Sequence, residues 1–398
     1  VKIVYVSRWF PYPANNGSRL RIYNTLRFLA ARHEVHLISF VDREPEPEEV
    51  SHLESMCASV VTTPWREYEP LRVGALIGLF SRQPRSLVDT YSAEMDSKVR
   101  TVCALVMPDV IIASQINTLP YIAPLQDATR ILDELEVGYL HGQVTRAQST
   151  PARLRADFTW WKASRYYRQT LDAIDGFTTV SEIEQVLARD LVQSHTPSIV
   201  VPNGVEMPDD GAYHTSPKAD TLIYCGSPTF AANLNAVRFF VDEILPLIAQ
   251  RRPNIRLHVT GELPADLSML PRYMDKVIYT GNLPAVRPLL ARSWVSVVPL
   301  LQGGGTRLKI LESMAVGTPV VSTAKGMEGL ALTAGRDLLC ADRPEEFAAA
   351  TVRILESAEL RTELAARGKE AVAKQYQWSE ILHRFEEFID ERNSSRSS

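Results

Sequence analysis

Residues 303–322 read GGGTRLKILESMAVGTPVVS and hold the groups best suited to chemistry. Glycines lead into a helical pattern with Arg307 and Lys309 in its first turn and Glu312 one turn on. Thr306 is a natural N-cap, because a hydroxyl there accepts from an N–H that the helix leaves unpaired. Leu308, Leu311 and Ala315 recur at helical spacing and predict a core-facing stripe. Gly317 is a plausible stop, Pro319 lies beyond it, and Val320 and Val321 begin a buried strand. A glycine-rich turn that feeds a helix N-terminus offers free N–H groups and the positive end of a dipole. Arg307 and Lys309 add full charge at the same place, so the site suits a diphosphate. Lys309 and Glu312 are three residues apart and share a helix face. The lysine could then hold phosphate while the glutamate accepts from ribose hydroxyls. The plainer alternative is a helix with a flexible glycine entry.

A second chemical stretch runs from Arg8 to Arg21. Loops at the carboxyl ends of parallel strands are where open α/β sheets bind ligands. Gly17 can bring backbone close to a substrate, and a helix capped by Ser18 would present N–H groups. Arg19 and Arg21 are either anion contacts or solvated residues on an amphipathic helix. No G-x-G-x-x-G is present, which argues against a nicotinamide dinucleotide.

These groups need strands and helices to hold them, and both halves of the chain alternate the two. That pattern predicts parallel sheets covered on both faces. In the first half, Val1–Ser7, Val35–Phe40, Val110–Ala113, Arg130–Asp133 and Gly176–Val180 read as strands, and Pro151–Ile174 as a helix. Residues 202–219 are rich in proline, glycine and aspartate, lack an apolar period, and read as a linker. The pattern then restarts with a strand at Thr221–Cys225, a loop opened by Gly226 and Ser227, and a helix over Leu234–Ile248. Ile255–Thr260, Val277–Thr280, Val295–Pro299 and Pro319–Ser322 are further strands, and helices fill most of 344–374.

With the glycine-rich stretch in hand, the chain resembles family 4 glycosyltransferases of the GT-B fold, in the subgroup whose donor motif reads G-x-G-T-R-x-K-I-L-E. The opening VKIVYVSRWFPYPANNGSRLRIYNTLRFLA is similar to their first strand, phosphate loop and helix. DAIDGFTTVSEIE resembles a segment near the end of their first domain, SIVVPNGVE their interdomain stretch, and TLIYCGSPTFAANLNAVRFFVDEILPLI the start of their second domain. The resemblance covers nearly the whole chain. It implies two doubly wound, Rossmann-like α/β domains facing across a cleft. The first is an acceptor-side domain over 1–203 plus a terminal helix at 378–392, and the second is a nucleotide-sugar domain over 204–377. It implies retaining transfer from a nucleoside-diphosphate sugar to a hydroxyl on a glycan, lipid or small molecule, with no metal and no cofactor. Lys309 and Arg307 would be catalytic. Gly17, Gly226, Ser227, Gly304, Gly305, Thr306 and Glu312 would bind donor.

Three departures from the family pattern bear on this. No basic residue follows Gly226 until Arg238, so Arg307 and Lys309 are left to meet the diphosphate charge. The first of two glutamates common in the family falls at Gly304, and backbone N–H groups of Gly305, Thr306 and Arg307 would replace it. A histidine common after a central strand is absent, and Ser114 and Gln115 stand near its place. Gln115, Asp133 and Glu134 are therefore acceptor-side candidates, although a carboxylate at a strand end can also cap a helix. Asn233 and Asn235 could reach the donor but more often serve as caps, and His141 reads as a surface or partly packed residue. Two rivals share the scaffold: a sugar-nucleotide epimerase and a non-catalytic sugar-nucleotide-binding subunit.

Composition narrows the field further. The chain has 398 residues, room for two domains, and a net charge of −4, which gives no global reason to bind nucleic acid. Cys57, Cys103, Cys225 and Cys340 lack metal or redox spacing and read as reduced residues of a cytoplasmic protein. No apolar run approaches a membrane span, and no signal-peptide plan is visible. Residues 151–170 interleave arginines with Phe158, Trp160 and Trp161, a composition that suits either core packing or peripheral contact with an inner membrane face. RVGALIGLFSRQPR, residues 72–85, is similar in character.

Overall fold

The computed structural model describes residues 1–138, 141–142, 144, 149–209, 212–213, 216–303 and 307–397. They form two compact units, Val1–Asn203 with Ile381–Ser398, and Gly204–Glu380.

The first unit is built on a parallel sheet of β1 (Lys2–Ser7), β2 (Glu34–Val41), β3 (Ser59–Pro64), β4 (Val110–Ser114), β5 (Thr129–Leu135), β6 (Gly176–Thr179) and β7 (Ser198–Val200). Their order is β3-β2-β1-β4-β5-β6-β7. The second unit carries β8 (Thr221–Cys225), β9 (Arg256–Thr260), β10 (Val277–Gly281), β11 (Val295–Val298), β12 (Val320–Ser322) and β13 (Leu339–Cys340). These are also parallel, in the order β10-β9-β8-β11-β12-β13. Within each unit the first six strands thus run 3-2-1-4-5-6, the doubly wound Rossmann arrangement. Central strands such as β4 (VIIAS) and β8 (TLIYC) are buried along their whole length, as parallel strands with helices on both faces must be.

The sheets reverse direction between β1 and β4 and between β8 and β11. Loops leaving those strand ends diverge to opposite faces, and the crevice between them is the usual ligand position. Gly17 and Gln115 sit at the first of these places, and Gly226 and Lys309 at the second.

Some boundaries differ from the sequence reading. Asn16, not Ser18, caps the helix Gly17–Ala30, its Oδ1 accepting from Arg19 N at 2.9 Å. β7 and β13 escaped because they have only three and two residues, and β3, with six, is a half-exposed edge strand with no clear apolar period. The helix predicted over Leu234–Ile248 extends from Ala231 to Arg251 through a wider turn at Phe240–Ile244. From Ile381 on, the last helix belongs to the first unit, where it buries Ile381, Phe385, Phe388 and Ile389. Gly176 makes that contact possible, since a Cβ there would lie 2.7 Å from Phe388 Cζ.

Arg21 is neither solvated nor an anion contact. It is 1% exposed and forks onto Asp133, Nε to Oδ2 at 3.1 Å and Nη2 to Oδ1 at 2.5 Å. Its Nη1 donates to Val201 O at 2.7 Å and to Asn203 Oδ1 at 3.2 Å. Tyr5 and Thr178 hydroxyls also donate to Asp133, at 3.3 and 2.6 Å. Asp133 is therefore wholly enclosed and saturated, which removes it from the acceptor-side candidates. It ties the first helix, three strands and the residues after β7 into one core.

Removing one member of a buried ion pair strands the other without compensation. Asp133→Ala should lower unfolding free energy by about 3–5 kcal/mol in chemical denaturation. A loss of less than about 1 kcal/mol, the worth of an exposed pair, would mean that the pair is not the enclosed one described.

Candidate functional site

In the second unit the site is assembled from the ends of β8 and β11. The helix carrying Lys309 spans Leu308–Ala315 and buries Ile310, Leu311, Met314 and Ala315. That stripe turns Lys309 and Glu312 away from the core, where both are half-buried. Arg307 flanks the start of this helix. Gly304, Gly305 and Thr306 lie outside the described residues.

Lys309 Nζ stands 2.9 Å from Tyr224 Oη and 2.9 Å from Asn233 Oδ1, and lies 4.4 Å from the Tyr224 ring centroid. Tyr224 Oη in turn donates to Asn233 Oδ1 at 2.8 Å. Asn233 is thus no cap. Its Nδ2 donates to Ser227 O at 3.0 Å, so it links the Lys309 ammonium to the loop after β8. No carboxylate pairs with Lys309 among the described residues. Burial pushes its pKa down to about 7, and the Arg307 charge adds to the effect. The neighbouring Cys225 thiol is pushed up to about 12 by burial and stays neutral.

Arg307 is buried, and its Nη2 donates to Gly303 O at 3.0 Å and Lys325 O at 3.1 Å, with Glu328 at 3.8 Å. Burial lowers its pKa, and Glu328 opposes that shift. Burial raises the pKa of Glu312, against the pull of Arg287. The Glu312 carboxylate accepts no hydrogen bond from the described residues.

Glycine has steric work at this strand end. A Cβ on Gly226 would sit 2.8 Å from Lys309 Nζ and 3.0 Å from the Asn233 amide. Gly261, at φ +108°, lets the loop after β9 touch the loop after β8, for a Cβ there would meet Ser227 N at 2.6 Å. Ser227 Oγ donates to Glu262 O at 2.8 Å across the same contact. Sequence reasoning missed Gly261 and Tyr224. Tyr224 carried no signal beyond being an aromatic in a buried strand.

In the first unit, Gly17 opens its helix beside the ends of β1 and β4. Arg19 is partly held by Asn15 at 3.3 Å and Asp42 at 3.7 Å. Gln115, at the end of β4, and Glu134, on β5, both adopt left-handed backbone, at φ 68° and 64°. Gln115 Nε2 donates to Glu134 Oε2 at 2.9 Å and to Ser18 Oγ at 3.3 Å, bridging the point where the sheet reverses. Glu134 is buried, which pushes its pKa up to about 7 against the pull of Arg21. Gln115 and Glu134 line a cavity of about 400 Å³ with Trp65, Tyr68, Thr90 and Tyr167. Left-handed non-glycine residues cost energy and gather at functional sites. His141 is partly packed, its ring 5.2 Å from Trp160. Among the described residues, no group of three or more His, Cys, Asp or Glu side chains is arranged to hold a metal ion.

Residues 219–357 match the family model described as glycosyl transferases group 1. The chain is 22% identical over 363 residues to an uncharacterized 44.6 kDa protein in the cps region of Klebsiella pneumoniae, covering 87% of this chain and 89% of that one. Among solved structures it is similar to sucrose-phosphate synthase from Thermosynechococcus elongatus, with TM-score 0.70 and 16% identity over 99% of this chain and 100% of that one. It is also similar to Anabaena HepE in complex with UDP and glucose, with TM-score 0.66 and 14% identity over 98% and 99% of the two chains. The fold is GT-B, and the domain match makes the chain a glycosyltransferase.

Gly261→Ala should cost at least about 2 kcal/mol, from backbone overlap together with the strained φ. Denaturant unfolding measures it. A variant as stable as the parent would contradict the close approach of these two loops.

Proposed function

We propose that this chain transfers a sugar from a nucleoside-diphosphate donor to a hydroxyl acceptor with retention of configuration, without a metal or other cofactor. The observation that carries the reading is Lys309. It is an ammonium at the β8/β11 reversal, oriented by Tyr224 and Asn233, with no carboxylate partner among the described residues. An incoming diphosphate would supply the missing charge. The domain match over the same residues supports that assignment, and the UDP held by HepE supports a nucleotide of this kind.

The chemistry follows from where charge develops. As the bond from the sugar to phosphate breaks, negative charge grows on the departing oxygen. Lys309, with Arg307 behind it, stabilises that charge from a fixed position. Gly17, Gly226, Ser227 and the 304–306 backbone complete the donor contacts, and the Glu312 carboxylate accepts from ribose hydroxyls. The leaving phosphate oxygen takes the acceptor proton, so no enzymic base is required. In the first unit, Gln115 and Glu134 border the cavity that receives the acceptor hydroxyl. The reading includes a cytoplasmic location with peripheral contact at the inner membrane face. A sugar-nucleotide epimerase would consume donor without acceptor and release no nucleoside diphosphate, whereas a non-catalytic binding subunit would show no turnover.

Lys309→Ala should lower kcat by roughly 10²-fold or more and raise donor KM less, because its contribution is greatest in the transition state. Lys309→Arg should rescue only in part, since a guanidinium fork is not shaped like an ammonium. Glu312→Gln should act mainly on donor affinity. Near-parental kcat in folded Lys309→Ala would mean that the phosphate site lies elsewhere.

A pH signature accompanies binding. With its pKa near 7, Lys309 is largely neutral at pH 8, and a bound diphosphate would draw it back to the charged form. Nucleoside-diphosphate binding at pH 8 should therefore take up about one proton, fading toward zero as pH falls well below 7. Calorimetry in buffers of different ionisation enthalpy measures this, and equal uptake at both pH values would exclude Lys309 as its source.

A further inference from the structure

The helix Val73–Phe80, sequence VGALIGLF, is turned inside out. Its buried residues are Ala75 and Gly78, whereas Val73, Ile77 and Phe80 are 69%, 60% and 94% exposed. The small residues face inward because neighbouring backbone is close: a Cβ on Gly78 would lie 2.9 Å from Arg85 Cα. Packing accounts for the inner face and gives no reason for a row of large apolar side chains outside.

A second helix continues the surface. Lys162, on the helix Thr150–Leu171, donates its Nζ to Gly78 O at 2.6 Å and so clamps the two helices together. Leu154, Phe158 and Trp161, at helical spacing on that second helix, are exposed as well. The Phe158 and Trp161 rings stack 5.9 Å apart, and Lys162 Nζ lies 5.7 Å from the Phe158 centroid. Apolar surface of this extent on a soluble domain marks an interaction site.

The charges around it select the partner. Arg82, Arg153, Arg155 and Arg165 are exposed and form no ion pair among the described residues. The nearby acids Glu67 and Glu69 are exposed but paired, with Arg8 at 3.5 Å and Arg72 at 2.7 Å, and Asp157 is the one exposed acid on the second helix. Two copies meeting through this face would bring their arginine rims together. An anionic surface with an apolar interior meets both features: phosphates for the guanidinium groups and acyl chains for Phe80, Ile77 and Trp161.

We infer that the helices Val73–Phe80 and Thr150–Leu171 together form a seat for an anionic lipid bilayer. This rests on the membrane-facing location proposed above and not on the transfer chemistry. The full chain should co-sediment with vesicles of phosphatidylcholine containing about three-tenths phosphatidylglycerol, weakly or not at all with phosphatidylcholine alone, and less well at about 1 M salt. Phe80→Glu and Ile77→Glu alter side chains already in water, so both variants should fold, and each should weaken vesicle binding at least about tenfold. Circular dichroism checks the fold, and the variants should keep parental transfer to a water-soluble acceptor. No binding to the anionic vesicles, equal binding to both compositions, or parental binding by Phe80→Glu would overturn the inference. So would a lipid-free dimer in sedimentation velocity that Phe80→Glu disperses, which would give the face to a second copy. Transfer activity without vesicle binding would refute the seat alone, and vesicle binding without transfer would refute the proposed reaction alone.

Discussion

An ammonium that no carboxylate among the described residues answers governs the second unit. Taking a lysine partly out of water without a counter-charge is unfavourable, and its lowered pKa records that cost. Dipoles offset part of it: the Tyr224 hydroxyl and ring and the Asn233 carbonyl all lie within reach of Nζ. The surrounding arrangement serves the same end. Gly226 has no side chain because the ammonium occupies that space, and Gly261 has none because the Ser227 backbone does. A fixed cation with incomplete compensation has little structural value and considerable value toward an anion.

The first unit makes the opposite choice with similar groups. Arg21 and Asp133 complete each other, and two hydroxyls and two further acceptors close the network. Nothing of that charge is left for a ligand. One residue further along β5 the backbone passes into the left-handed region, and Glu134 emerges on the cavity instead of the core. Adjacent acids on one strand therefore do different work: one fixes the fold and the other borders a pocket.

That division could not be read from the string RILDE, where Asp133 and Glu134 look equivalent. The larger plan could. Unbroken apolar runs gave away the central strands, and the restart after a proline- and glycine-rich linker marked the second sheet. The glycine-rich stretch before Leu308 was legible because cations and a carboxylate at helical spacing carry their chemistry in their identities. Partners that depend on tertiary placement were not legible. Asn233 looked like a cap, and Tyr224 was one residue of a predicted strand. Arg21 sat in a loop-and-helix motif that suggested solvent, yet its partner lies 112 residues away. Short edge strands such as β7 and β13 have too few residues to show a period.

The covering of Gly176 by Phe388 has a consequence for the order in which this chain is made. The first unit needs residues from 381 onward, and these leave the ribosome only after the whole second unit has been synthesised. At about 5–20 residues per second, the sheet around Gly176 waits roughly ten to forty seconds for the helix that buries it. During that interval the nascent first domain exposes apolar surface, while the second unit, Gly204–Glu380, is continuous in sequence and can close as it emerges. The domain translated first is thus the one completed last.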